Sequence, residues 1–224
     1  MIDSLRGGLI VSVQAEAKSV LNAPETIALL ARCAEANGAA GVRIEGAERI
    51  AAVRAAVRIP VIGIVKAAVP GFAPYITPRL ADVDAVARAG AHIVAFDATR
   101  RARPDGAATA QLVDAIHRMG CAAMADCAEP EDGLDATGAG AEMCATTLCG
   151  YTEGTRGAAL PALDLVRALR RLGRFCVCEG GIGTPAQARE AFSAGADAIV
   201  VGTAITNVDV LVSRFVAATP SEAG

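Results

Sequence analysis

The sequence predicts an α/β fold, a single (β/α)8 barrel of the TIM type, on three observations. The chain has 224 residues, short for two α/β domains and close to the roughly 200 to 250 that one barrel without insertions requires. Its composition is 53% hydrophobic with 3% aromatic residues and no Trp, so the core is built from Ala, Val, Ile and Leu, as suits strands buried on both faces. The third observation is a repeat. An Ala-rich helical segment ends near a glycine and passes into an aliphatic run at Asn37-Gly38-Ala39-Ala40-Gly41-Val42, Gly90-Ala91-His92-Ile93-Val94, Gly138-Ala139-Gly140-Ala141-Glu142-Met143 and Gly195-Ala196-Asp197-Ala198-Ile199-Val200. Glycine accepts the left-handed conformation that ends a helix, and the residues after it enter a sheet. The repeats stand roughly 50 residues apart, about twice a βα unit, so each interval hides one further strand.

In chain order, the first strand is the aliphatic run 9–13, and a helix follows over 24–37 with Pro24 at its start. The second strand begins near 42 and leads to a helix over 47–56; the third is 61–65, followed by a helix over 78–89. Strand 4 begins near 92 with its helix at 107–119, strand 5 is 121–125 with its helix at 129–137, and strand 6 begins near 142 with its helix at 161–172. Strand 7 is 175–178, its helix 185–194, and strand 8 begins near 198. A short helical turn at 204–207 and an apolar helix at 208–216 close the pattern. Proline opens several of these helices, where its missing N–H costs nothing. An open doubly wound sheet is the alternative, but Ser12-Val13-Gln14 stands where a Gly-rich dinucleotide loop would follow the first strand. One catalytic domain is expected over 1–218, with a frayed tail at 219–224.

A net charge of −3 and a pI near 5.5 lack the electrostatic footprint of a nucleic-acid binder. The basic runs 100–103 and 167–174 read as solvated faces. No apolar stretch reaches membrane-spanning length before a charge or breaker intervenes, and residues 1–8 lack the layout of a signal peptide. Seven cysteines in such a chain point to free thiols in the cytoplasm. Cys176 and Cys178 alternate on one strand and read as small core residues. With His92 and His117 as the two histidines, neither a multi-histidine metal cage nor a nucleophilic triad can be assembled at a strand end.

In this fold chemistry happens at the carboxyl ends of the strands. The polar residues there are Gln14, Arg43, Glu45, Lys66, Asp97, Asp126, Thr146, Thr147, Glu179 and Thr203. After strand 7 comes Gly180-Gly181-Ile182-Gly183 and after strand 8 Gly202-Thr203, so Gly180, Gly181, Gly202 and Thr203 are candidates to cradle a phosphate with backbone amides. Lys66 and Lys18 are the two lysines among 21 basic residues, so Lys66 at the end of an aliphatic strand is more than a solubilising charge. Partly desolvated, its amine can act as a base, which an arginine cannot; a snorkelling side chain or a phosphate ligand is the blander reading. Glu179 can serve as an acid or base, hold a sugar hydroxyl, or cap the next helix. Arg43 and Asp126 are substrate ligands or partners of one another.

Taken in order, Gly8-Leu9-Ile10-Val11-Ser12-Val13-Gln14-Ala15, Gly41-Val42-Arg43-Ile44-Glu45-Gly46, Pro60-Val61-Ile62-Gly63-Ile64-Val65-Lys66, Phe96-Asp97-Ala98-Thr99, Met124-Ala125-Asp126, Thr146-Thr147-Leu148-Cys149-Gly150-Tyr151-Thr152, Glu179-Gly180-Gly181-Ile182 and Val200-Val201-Gly202-Thr203-Ala204-Ile205-Thr206 resemble the N-acetylmannosamine-6-phosphate 2-epimerase family nearly end to end. The resemblance implies interconversion of N-acetylmannosamine 6-phosphate and N-acetylglucosamine 6-phosphate in amino-sugar and sialic acid catabolism, with no metal or organic cofactor. It implies Lys66 as the proton-transfer residue, Glu179 as its acidic partner, Gln14, Arg43, Asp126 and Glu153 as sugar-binding positions, and a homodimer formed through the last helix. Family members often carry an arginine after Ala-Ile-Thr where this chain has Asn207, which leaves the second phosphate ligand open. The rival readings are a Schiff-base lyase with an imine on Lys66, a pentulose-phosphate epimerase disfavoured by the missing histidines, and a non-catalytic sugar-phosphate binder.

Overall fold

Eight parallel strands close in chain order into a barrel, β8 pairing back onto β1 through Ile10↔Val200 and its neighbours. The computed structural model describes residues 1–220; most of the tail expected to fray, 221–224, lies outside the described residues. The strands are β1 Leu9–Val13, β2 Gly41–Glu45, β3 Val61–Ile64, β4 Ile93–Asp97, β5 Ala122–Asp126, β6 Met143–Ala145, β7 Phe175–Glu179 and β8 Ala198–Val201. Between them lie α1 Pro24–Ala36, α2 Ala47–Ala56, α3 Leu80–Arg88, α4 Thr109–Arg118, α5 Pro130–Gly138, α6 Leu163–Arg170 and α7 Pro185–Ser193, and the chain ends in α8 Thr203–Thr206 and α9 Val208–Val216. Each element expected from the sequence is present, within a few residues at its ends.

Successive side chains of a strand point to opposite faces, and the core divides accordingly. Ile10, Ile62, Ile64, Ile93, Met124, Met143, Phe175, Val177 and Val200 fill the barrel interior. Val11, Val13, Val42, Ile44, Val94, Phe96, Cys176 and Cys178 pack outward in the layer beneath the helices. Gly63 belongs to the outward set, and a Cβ there would lie 2.5 Å from Val86 Cγ1 and 2.8 Å from Ala91 Cβ, so glycine lets the α3 segment close on β3. Two residues beyond the last inward aliphatic of a strand, the same alternation delivers Asp126 after Met124, Glu179 after Val177 and Lys66 after Ile64, all at the carboxyl mouth. Barrel closure thus places on one rim residues that are far apart in the chain.

Two expectations are corrected. Pro24, Pro130 and Pro185 do open helices, but α3 and α6 begin at Leu80 and Leu163, two residues after Pro78 and Pro161. At α3 the start is set by Asp82, whose Oδ2 accepts the Arg79 N–H at 3.1 Å. The basic run 100–103 is not uniformly solvated. Arg101 pairs with the fully buried Asp97 at 2.7 Å, and Arg103 is buried, donating to the Asp97 carbonyl at 2.7 Å and to Thr109 Oγ1 at 3.1 Å. These guanidiniums satisfy polar groups that the β4 terminus buries. All seven cysteines are free thiols. Burial pushes Cys176 up to about 12 and Cys178 up to about 11, as expected of inert core thiols. Among the described residues no helix is long and apolar enough to cross a membrane.

Candidate active site

The carboxyl mouth of the barrel holds a cavity of about 720 Å³, within the range of small-molecule sites. Its floor is the Arg43 guanidinium, 1% exposed, which crosses the barrel from β2. Arg43 Nη2 donates to Asp126 Oδ2 at 2.6 Å and Nη1 to Asp126 Oδ1 at 3.0 Å, while Nη1 also donates to Glu179 Oε2 at 2.9 Å. The Thr147 hydroxyl lies 2.7 Å from Asp126 Oδ1 and 3.0 Å from Glu179 Oε2, and Thr146 pins the β7 end through both its donor and acceptor to the Glu179 backbone, at 2.8 and 3.0 Å. Opposite charges in a shared buried network hold each other in fixed geometry. Arg43 and Asp126 pair with one another, with Arg43 lining the cavity and Asp126 beneath its wall with no exposure.

Glu179 does line the cavity. Burial pushes its carboxyl above the ordinary glutamate range, and the Asp126 charge adds to this; Arg43, Thr147 and Lys66 act in the opposite sense. Around the eight-stranded ring β3 stands diametrically opposite β7, so Lys66 faces Glu179 from the far wall. The Lys66 side chain is partly exposed at the cavity and partly covered by the surrounding protein. That desolvation lowers its pKa below the usual lysine value, with Arg43 adding to the effect and Glu45, Glu179 and Glu16 opposing it. The segment after β3 folds back on the strand, with Ala67 N donating to the Tyr75 carbonyl at 2.8 Å and Thr77 N to the Val65 carbonyl at 2.7 Å. Thr77 adopts φ +43° to make this turn, an uncommon conformation for a β-branched residue, and its Oγ1 accepts from Val65 N at 3.2 Å. The turn brings Tyr75 to the cavity wall.

The loops after β7 and β8 form the other end. Gly180 and Gly181 have φ of +103° and +75°, and a Cβ on Gly181 would sit 2.3 Å from Leu160 Cβ, so glycine is required there for both conformation and space. Gly202 and Thr203 line the same end. Thr206 Oγ1 donates to the Ser12 carbonyl at 2.8 Å, fastening α8 to β1. Gln14 lines the cavity with its Nε2 donating to Ser12 Oγ at 2.6 Å.

Of the expected residues, Gln14, Arg43, Lys66, Glu179, Gly180, Gly181, Gly202 and Thr203 share this cavity, and Asp126 supports it from below. Glu153 does not join them, standing exposed on the loop between β6 and α6. Tyr75, Tyr151, Arg49 and Arg214 also line the cavity, none of them at a strand end where the sequence marks a site. A signal existed for the tyrosines, since the chain has two and both are here. His92 and His117 lie away from the mouth; His92 Nδ1 accepts the Val61 N–H at 3.0 Å and His117 pairs with Glu142.

A family model described as "Putative N-acetylmannosamine-6-phosphate epimerase" matches residues 27–221. Relatives named "Putative N-acetylmannosamine-6-phosphate 2-epimerase" include one from Synechococcus elongatus, 45% identical over 218 residues that cover 96% of this chain and 94% of the relative. Another, from Klebsiella pneumoniae, is 48% identical over 204 residues, 91% of this chain and 86% of the relative. The solved structure of the N-acetylmannosamine-6-phosphate 2-epimerase from Clostridium perfringens matches with a TM-score of 0.93 at 34% identity, covering 98% of this chain and 96% of that one. With the barrel, its mouth and these matches in agreement, the chain belongs to the N-acetylmannosamine-6-phosphate epimerase family.

Proposed function

We propose that this barrel interconverts N-acetylmannosamine 6-phosphate and N-acetylglucosamine 6-phosphate by inverting carbon-2, a step of amino-sugar and sialic acid catabolism. The observation that carries the mechanism is the pair of groups facing each other across one cavity, a Lys66 whose amine is pushed toward the neutral form and a Glu179 whose carboxyl is pushed toward the protonated form. Such a pair separates base from acid. In the open-chain sugar the proton on carbon-2 lies beside the aldehyde. The neutral Lys66 amine takes that proton, the C–H electron pair moves into the carbon-1 to carbon-2 bond, and the carbonyl oxygen gains negative charge. Glu179 stabilises that oxygen by donating its proton or a hydrogen bond; a proton exchanged with solvent then adds to the opposite face of carbon-2 as the electron pair returns, the carbonyl re-forms, Glu179 recovers its proton and Lys66 releases the one it took to solvent. Lys66 and Glu179 supply the base and the acid that the step requires, so we assign the reaction neither metal nor organic cofactor. The phosphate, held at the Gly180-Gly181 and Gly202-Thr203 end, anchors the substrate so that remote binding energy orients the reacting carbon. Gln14 meets the sugar directly, and Arg43 and Asp126 act through Glu179. Glu153 reaches the sugar only if its loop moves inward.

The test is proton NMR of N-acetylmannosamine 6-phosphate with the protein in heavy water. The expected result is growth of N-acetylglucosamine 6-phosphate carrying deuterium at carbon-2; an unchanged spectrum without exchange would overturn the proposal.

A homodimer through α9 is part of the same reading. No residue of α9 is buried, and its Val208, Val212, Phe215 and Val216 are 45, 55, 75 and 62% exposed, an apolar face that a second copy would cover. A Val212→Glu/Phe215→Glu protein is expected to sediment as a monomer at concentrations where the unaltered chain is a dimer. The free thiols and the sugar-phosphate substrate fit a cytoplasmic location.

A further inference from the structure

We propose, resting on the phosphorylated substrate assigned above, that Arg214 of α9 is the cation that recognises the phosphate and so sets the preference for phosphorylated over free amino sugars. The cations lining the cavity are Arg43, Arg49, Lys66 and Arg214. Arg43 is held by Asp126 and Glu179, and Arg49 by Glu45. Lys66 and Arg214 enter none of the ion pairs among the described residues. Lys66 stands on β3, across the mouth at the reacting end, whereas Arg214 belongs to the segment that continues from the β8 loop.

The glycine loops present amide dipoles but no full charge. Asn207, directly after Ala204-Ile205-Thr206, adds none: its Oδ1 accepts the Val210 N–H at 3.1 Å as the cap of α9, and its Nδ2 donates to Glu16 Oε1 at 3.0 Å. Glu16 itself lines the cavity, and Glu16 and Asp209 both border a shallow depression beside Arg214. A phosphate dianion brought to this end therefore meets carboxylates unless a cation offsets them. Arg214 lies seven residues beyond the cap of α9, on the helix face that carries the cap, because positions i and i+7 share a face. Helical side chains lean toward the amino terminus of their helix, so the guanidinium extends back along α9 toward Asn207 and Gly202, where it lines the cavity. Its planar donor set matches two phosphate oxygens at once, which an ammonium does not.

The experiment is calorimetric titration of the full chain with inorganic phosphate, alongside steady-state kinetics on N-acetylmannosamine 6-phosphate, for the unaltered protein, Arg214→Gln and Arg214→Lys. Arg214 is exposed, so both variants are expected to keep the parent melting temperature. Arg214→Gln is expected to raise both the phosphate Kd and the sugar-phosphate KM by about 10- to 100-fold, with a much smaller change in kcat, and Arg214→Lys to recover part of the loss. A Kd and KM that move by less than about twofold in Arg214→Gln, against the roughly tenfold minimum expected for a lost charged hydrogen bond, overturn the assignment. If the epimerase reading itself fails, turnover is absent in every protein while the titration still reads Arg214: lost phosphate affinity supports the assignment and unchanged affinity overturns it.

Discussion

A Lys66→Ala protein is expected to fold as the parent does and to lose turnover by about 100- to 10,000-fold, the range supplied by a positioned general base. The side chain makes no ion pair among the described residues and points into an open cavity, so its removal leaves no buried partner stranded. Carbon-2 deuterium exchange must fall in parallel with turnover, since both require the same proton abstraction. Lys66→Arg is expected to be nearly as poor, because a guanidinium does not deprotonate in the working range. The pH profile follows from the directions of the two shifts. The productive form has Lys66 neutral and Glu179 protonated. With Lys66 the weaker acid of the two, this form is a constant minor fraction between the two values, and activity falls as pH drops below the Glu179 pKa, which lies above 4.5, and as pH rises above the Lys66 pKa, which lies below 10.5. The shifts move the two values toward each other, which enlarges the productive fraction near neutrality. In Lys66→Ala the acid-side fall should disappear, and the residual rate should decline only as pH rises above the Glu179 pKa. Near-parental turnover in Lys66→Ala would remove the base from the mechanism.

Replacing Arg43 by methionine is expected to cost about 3–5 kcal/mol of stability, the penalty of leaving a buried charge unpaired, and to lower the melting temperature by roughly 6–20 °C for a domain of this size. Asp126 is fully buried, and both its oxygens accept from Arg43, so the variant strands a carboxylate in the barrel interior. Glu179 loses its 2.9 Å partner as well, and kcat should fall because the acid is no longer held in place. Arg43→Met combined with Asp126→Leu separates the two effects. Removing the stranded carboxylate should restore much of the melting temperature without restoring kcat. Thermal denaturation and steady-state kinetics on both proteins check this, and an unchanged melting temperature in the single variant would contradict the account.

The barrel and most of its rim were legible in the sequence because both are written in short-range patterns. The Gly-Ala passages that end helices mark where strands begin, and each aliphatic run is long enough to identify but too short to be a helix. The polar residue that interrupts a run must then fall at the mouth, which located Lys66, Glu179 and the glycine loops. The starts of α3 and α6 were less legible, because a proline two residues upstream reads the same as a proline at the first helical position until the local cap is seen. Arg101 and Arg103 looked solvated because a run of arginines carries no mark of the buried Asp97 that draws two of them inward.

The sequence by itself determined the fold class, the strand order and the identity of the two groups that face each other across the cavity, since local alternation and turn chemistry dictate them. Tertiary structure alone decided which charges are consumed by pairing and which stay available. Arg43 meets Asp126 and Glu179 at separations of 83 and 136 residues, Tyr75 enters on a folded-back turn, Arg214 arrives from the last helix, and Glu153 is left outside. The physical reason is that barrel closure brings every strand end to a common rim, and a side chain several ångströms long selects its partner there by distance and burial, neither of which is encoded in sequence spacing.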